Sequence, residues 1–123
     1  MSDSASELLQ KWVHTIKQGD PKQVTNLYHE KGLLLGTFSP KERVGHELIL
    51  EYFENLLKNP VDVEIVSQHA YSSGGIMCVN SGFYNFITNG KTIASRFSFV
   101  YVLDLKKDQW KILSHHSSVL PEN

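Results

Sequence analysis

The chain has 123 residues, 41% of them hydrophobic and 20% charged, with a formal net charge of −1. That length and balance suit one folded domain over 1–123 with one core, and exclude a disordered chain. The near-neutral charge without a basic block excludes a large nucleic-acid footprint, and the lone Cys78 excludes an intrachain disulfide.

The opening "MSDSASELLQKW" has no basic stretch followed by an apolar run, so no signal peptide is expected. No apolar segment is long enough to span a bilayer. A single cysteine fits a reducing compartment, and the cytoplasm is the expected location, with no membrane or nucleic-acid partner. Ser4 and Glu7 form an S-x-x-E capping box. Leu8, Leu9, Trp12, Val13 and Ile16 then repeat at helical spacing, and Gly19 ends the helix. Asp20-Pro21 starts a second helix whose apolar side is Val24, Leu27 and Tyr28. "LLLGTF" (33–38) is short, apolar and flanked by breakers, so a strand is expected there, closed by Pro40. A third helix carries Leu48, Ile49, Tyr52, Phe53, Leu56 and Leu57 on one stripe until Asn59-Pro60 stops it.

The second half reads as strand after strand. "VDVEIVSQ" alternates with period two, and "IMCVNSGFYNFI" follows with a bulge or bend expected at Gly82. Asn89-Gly90 is the strongest hairpin signal in the chain. "TIASRFSFVYVLDL" returns, and a two-residue turn at Lys107-Asp108 is expected to lead into "WKILSHHSSVL". Three helices followed by an antiparallel meander make an α+β domain. A curved sheet wrapping a long helix would leave a conical cavity open at one end.

The two turns predict which side chains share a face. A turn at 107–108 sets Val100 opposite His115 and Ser98 opposite Ser117. One face then carries Arg96, Ser98, Val100, Val102, Leu113, His115 and Ser117, joined by Phe83, Asn85 and Ile87. It grades from a dry base to a polar mouth. The other face carries Tyr84, Phe86, Phe97, Phe99, Tyr101, His116 and Ser118. So apolar a face predicts an interface, hence a homo-oligomer, at least a dimer, through the sheet. A one-residue slip would exchange the faces.

"RFSFVYVLDLKKDQWKILSHHSSVLP" resembles the end of the association domain of calcium/calmodulin-dependent protein kinase II and its stand-alone bacterial relatives. "LYHEKGLLLGTFSPKERVGHELILEYFENLL" resembles that family's strand, threonine turn, arginine and Tyr-Phe helix, and "SGFYNF" its Gly-Tyr-x-Phe strand. The resemblance covers nearly the whole chain. It implies a nuclear transport factor 2-like, SnoaL-like cone: three N-terminal helices on a curved, mainly antiparallel sheet. Stand-alone domains of this group are similar to iota-class carbonic anhydrases, some of which are described as hydrating carbon dioxide without a metal. By that resemblance the pocket positions are Thr37, Tyr52, and a His and Ser from the last strand. The expected register selects His115 and Ser117, with Arg96 and Ser98 as anion-binding residues on the same face. The chain departs from the pattern at Gly36, where a proline is common, and at Ser114, where many relatives have histidine.

The functional expectation is therefore metal-independent hydration of carbon dioxide to bicarbonate, a lyase activity needing no cofactor. The alternative is a non-enzymatic oligomerisation module that binds a small carboxylate. A polyketide-cyclase-like or isomerase-like enzyme ranks third, because that chemistry wants a carboxylate base and Glu42 and Glu47 are expected to face solvent. A metal is not expected. Adjacent His115 and His116 point to opposite faces of a strand and cannot share one zinc, which wants three or four clustered ligands. Each site residue also has a structural reading. Arg96 could pair with a carboxylate or carbonyl, Thr37 and Ser117 could cap strand ends, and Tyr52 could be packing alone.

Overall fold

The computed structural model describes residues 4–122. Helix α1 (Ala5–Gln18) begins at the reciprocal capping box: Glu7 N–H donates to Ser4 Oγ at 3.1 Å and Ser4 N–H to Glu7 Oε1 at 3.0 Å. Its buried stripe is Leu8, Leu9, Trp12 and Ile16, and Gly19 closes it in the left-handed conformation at φ 82°. Asp20 caps α2 (Pro21–Thr25), which is one short helix and not the longer one expected. Tyr28 does not lie on a helix face. It opens strand β1 (Tyr28–Leu35), which starts five residues earlier than the expected 33–38 and ends before Thr37. An unexpected two-residue strand β2 (Arg43–Val44) pairs with β1, and α3 (His46–Leu56) follows Gly45 at φ 90°. Among the described residues, no helix is long and apolar enough to cross a membrane.

Strands β3 (Val61–Ser73), β4 (Met77–Thr88), β5 (Lys91–Asp104) and β6 (Gln109–Val119) form the expected meander. The sheet order is β2-β1-β6-β5-β4-β3, antiparallel throughout except for β1 beside β6. α1 lies on its concave face over β3 and β4, while α3 packs on α2 and β1. This is the expected α+β cone with three helices on a curved sheet.

Asn89 (φ 53°) and Gly90 (φ 73°) make the tight hairpin the sequence signals, and Phe83 pairs with Arg96 as that turn requires. The expected bulge at Gly82 sits instead on the neighbouring strand. β3 carries the extra residue at Val66, and Gly82 is the flat spot against which Ser67 closes.

The last hairpin departs in two ways. Its loop is the four residues between Asp104 and Gln109, not Lys107-Asp108 alone. A shift of two preserves faces, so this error alone is harmless. A β-bulge then skips Leu113: Tyr101 pairs with Ile112, but Val100 pairs with Ser114 and Phe99 with His115. From there the faces exchange. His115 and Ser117 join Phe97, Phe99 and Tyr101 on the inner face, all buried. Arg96, Ser98, His116 and Ser118 share the outer face, with Arg96 opposite Ser118 and Ser98 opposite His116. The aromatic face is therefore the core under α1 and not an interface.

Candidate functional site

The core holds one continuous polar chain. Trp12 Nε1 donates to Tyr28 Oη at 3.2 Å, and Tyr28 Oη lies 2.7 Å from His115 Nδ1. His115 Nε2 lies 3.1 Å from Tyr84 Oη, which donates to Ser117 Oγ at 2.6 Å. Ser117 Oγ meets Thr37 Oγ1 at 2.5 Å. The elements that place these groups are α1, the start of β1, the middle of β4, the end of β6 and the turn after β1. Trp12, Tyr28, Tyr84, His115 and Ser117 are buried, and Thr37 is half-buried.

The chain has a direction. Indole N–H only donates. Tyr28 Oη accepts from it, so the Tyr28 hydrogen goes to His115 Nδ1. A neutral imidazole that accepts at Nδ1 carries its hydrogen on Nε2 and donates to Tyr84. Each hydroxyl then passes its hydrogen outward, and the last in line, on Thr37, is left for a ligand. Burial, with a smaller contribution from His116, pushes the His115 pKa down to about 3, so the ring is neutral across the physiological range. It is clamped between Phe99, stacked with centroids 3.9 Å apart, and the edge of Trp12 at 5.3 Å. Burial raises both Tyr28 and Tyr84 well above the usual phenol range, so both remain donors.

The chain surfaces at a cleft of about 210 Å³ bordered by Gly36, Pro40, Lys41, Glu42, His116 and Ser117, among others. Tyr52 stands beside it. Its Oη accepts a long hydrogen bond from Phe38 N–H at 3.4 Å, and burial pushes its pKa up to about 12. Gly36 makes room for this ring, since a Cβ there would lie 2.5 Å from Tyr52 Cζ. A proline at this position would displace the ring.

Arg43 fastens the turn to α3. Its buried guanidinium donates to Leu48 O and Glu51 Oε1, both at 2.8 Å, and to Ser39 Oγ at 3.1 Å. It also lies 5.7 Å from the Tyr52 ring centroid. The Arg43 hydrogen bond, followed by the Lys41 charge, holds the Glu51 carboxyl below its usual range.

Of the residues expected at the site, the structure brings together Thr37, His115 and Ser117, with Tyr52 next to the turn. It does not bring Arg96 or Ser98. Both are on the outer face, where the Ser98 hydroxyl bonds Ser81 Oγ at 2.7 Å. Sequence reasoning passed over Trp12, Tyr28 and Tyr84, each of which looked like packing. Alternation from Asn89-Gly90 did put Tyr84 with Phe86 and Phe97, but only the bulge shows that His115 joins them. Among the described residues, no three His, Cys, Asp or Glu side chains cluster as a metal site would.

Residues 5–122 match the SnoaL-like domain. The chain belongs to the SnoaL-like domain family. Among curated proteins nothing matches it. This SnoaL-like domain is 30% identical to a Xanthomonas campestris protein that bears the provisional name calcium/calmodulin dependent protein kinase II association domain. The match covers 99% of this chain and 97% of that one, with a TM-score of 0.89. Two more distant structures share the fold. One is a provisionally named dehydratase of the nuclear transport factor 2-like family from Streptomyces avermitilis, at 14% identity, covering 97% and 95% of the two chains with a TM-score of 0.84. The other is a provisionally named ketosteroid isomerase from Parabacteroides distasonis, at 18% identity, covering 92% and 83% with a TM-score of 0.76. At such identities the SnoaL-like fold is what is shared, and function must be argued from the site.

Proposed function

We propose that this protein hydrates carbon dioxide to bicarbonate at the Ser117–Thr37 end of the polar chain, using its own hydroxyls. The observation that carries this reading is the unbroken run of hydrogen bonds from Trp12 through His115 to Thr37, ending beside a small cleft. Pockets for drug-sized ligands span about 300–1,000 Å³. A cleft of about 210 Å³ over a core filled with rings suits a substrate of a few atoms.

His115 cannot serve as the base expected from its ordinary pKa, because both ring nitrogens are engaged and the ring does not hold a second proton near neutrality. Instead it polarises the hydroxyls. Water attacks the carbon and gives one proton to Thr37 Oγ1, as the Thr37 proton passes to a carbon dioxide oxygen. Carbonic acid leaves and ionises in solvent to bicarbonate and a proton. Ser117 and Tyr52 hold oxygens of the developing product, in the manner of preorganised donors.

Stopped-flow hydration of carbon dioxide by chelator-treated protein is expected to exceed the uncatalysed rate. Thr37→Val keeps the shape and removes the terminal hydroxyl, and is expected to lower kcat about 10²-fold, the usual scale for one such donor. A wild-type rate equal to background rules out the enzyme.

A second reading, a non-enzymatic module binding a small carboxylate, draws on the outward-pointing donor and on Lys41 at the cleft, where Glu42 opposes it. The self-association proposed with it moves to the outer sheet face, which carries Phe83 (43% exposed), opposite Arg96, and Ile87 (37%). Light scattering is expected to give at least a dimer, and a monomeric mass rules that surface out. Cyclase or isomerase chemistry ranks last: Glu42 borders the cleft but is exposed, and among the described residues the buried polar groups include no Asp or Glu to act as base.

A further inference from the structure

The opposite end of the cone has its own concavity, unrelated to the Ser117–Thr37 cleft. A cleft of about 330 Å³ lies between α1, the end of α2 and the start of β6, bordered by Lys11, Gln23, Leu27, Asp108, Trp110 and Lys111. Beneath it lies a neck of about 20 Å³. Leu8, Lys11, Leu27 and Trp110 border both spaces, so the neck continues the cleft inward. Tyr101 borders the neck, and this side chain, 2% exposed, has a hydroxyl with no hydrogen-bond partner. A buried donor left unpaired costs about 1–3 kcal/mol, and a space of this size accepts a single oxygen atom.

The surroundings of that donor are cationic and partly apolar. Lys11 borders cleft and neck alike, and Lys111 lies on the cleft wall with its ammonium donating to Asn26 O at 2.6 Å. Desolvation first, then the charges of Lys107 and Lys11, lower the Lys111 pKa, and Asp104 opposes them only in part. Asp108 adds one carboxylate to the wall. Trp110, half-buried, and Leu27 supply flat and apolar surface.

We propose that this cleft is a second binding site, for a small planar carboxylate such as an aromatic acid. One carboxylate oxygen enters the neck and accepts from Tyr101 Oη, the Lys11 ammonium pairs with the carboxylate, and the ring lies against Trp110 and Leu27. A lone water on Tyr101 would satisfy the hydroxyl but would leave the cleft, Lys11 and the open side of the half-buried indole without a ligand.

Benzoate is the probe, titrated into the intact protein and followed by amide and indole nuclear magnetic resonance shifts. Saturable binding with the largest shifts at Trp110 and Leu27 is expected. Tyr101→Phe removes a hydroxyl that bonds nothing in the protein, so it is expected to fold as well as the wild type. It and Lys11→Gln are each expected to weaken benzoate about tenfold, the scale of a hydrogen bond to a charged group. Thr37→Ala, at the other cleft, is expected to bind benzoate unchanged, so the outcome is independent of whether the protein hydrates carbon dioxide. No saturable binding at millimolar benzoate overturns the proposal. So does equal affinity in wild type, Tyr101→Phe and Lys11→Gln, or a loss of binding in Thr37→Ala.

Discussion

His115→Leu is expected to destabilise the protein at neutral pH by about 2–4 kcal/mol and to abolish hydration activity, because it cuts the polar chain at its centre. Leucine leaves the Tyr28 hydrogen without an acceptor in a site where Tyr28 is 0% exposed. It also removes the donor to Tyr84, so Ser117 and Thr37 are no longer held in one direction.

The substitution also changes the acid limb of the stability profile. An unfolded histidine titrates near about 6.5, whereas burial holds folded His115 down to about 3. On acidification the unfolded state therefore takes up the proton first. The stability tied to neutral His115 is complete above about pH 6.5 and is lost as pH falls toward 3, by up to about 1.4 kcal/mol per pH unit. Urea denaturation at about pH 7 and about pH 4.5 tests both effects. The variant starts lower and falls less steeply with acid. Parallel curves for the two proteins would contradict the buried neutral imidazole.

Gly82→Ala is the second large effect, an expected loss of about 3 kcal/mol from overpacking against backbone. A Cβ on Gly82 would run into the Ser67 carbonyl oxygen and lie 2.8 Å from the Ser67 carbonyl carbon and 3.0 Å from Gln68 Cα. No rotamer change relieves a clash with backbone, so β3 must move off β4 just beyond its bulge at Val66. Gly74→Ala is the control. Its Cβ meets nothing within 4 Å, and only the left-handed φ of 65° resists it, at about 1 kcal/mol. Chemical denaturation of the pair measures the difference, and equal losses would mean that Gly82 is not a contact point.

Much of this architecture is legible in local pattern. The Ser4/Glu7 box, the Trp12 stripe, the Asn89-Gly90 turn and the alternation of β4 and β5 depend on residues within a few positions of one another. The misreadings that matter to the site share one cause, a dependence on strands distant in sequence. Leu27 and Tyr28 continue the apolar spacing of α2, yet they leave the helix because β6 is there to pair with them. Ile112 N–H donates to Leu27 O at 2.9 Å, and Tyr28 pairs with Ile112. The bulge that skips Leu113 falls at the same place, where β6 must satisfy β5 on one side and the irregular start of β1 on the other.

The sequence by itself thus determined the element order and the α+β cone, because hydrophobic period, caps and turns are local properties, while the candidacy of Thr37, Tyr52, His115 and Ser117 came from the family resemblance of its motifs. The tertiary structure decided which of the paired histidines is buried, that Arg96 and Ser98 lie outside, and that Trp12, Tyr28 and Tyr84 belong to the site. The physical reason is that a β-strand repeats every two residues. One bulged residue, placed by two neighbouring strands, reverses every assignment beyond it.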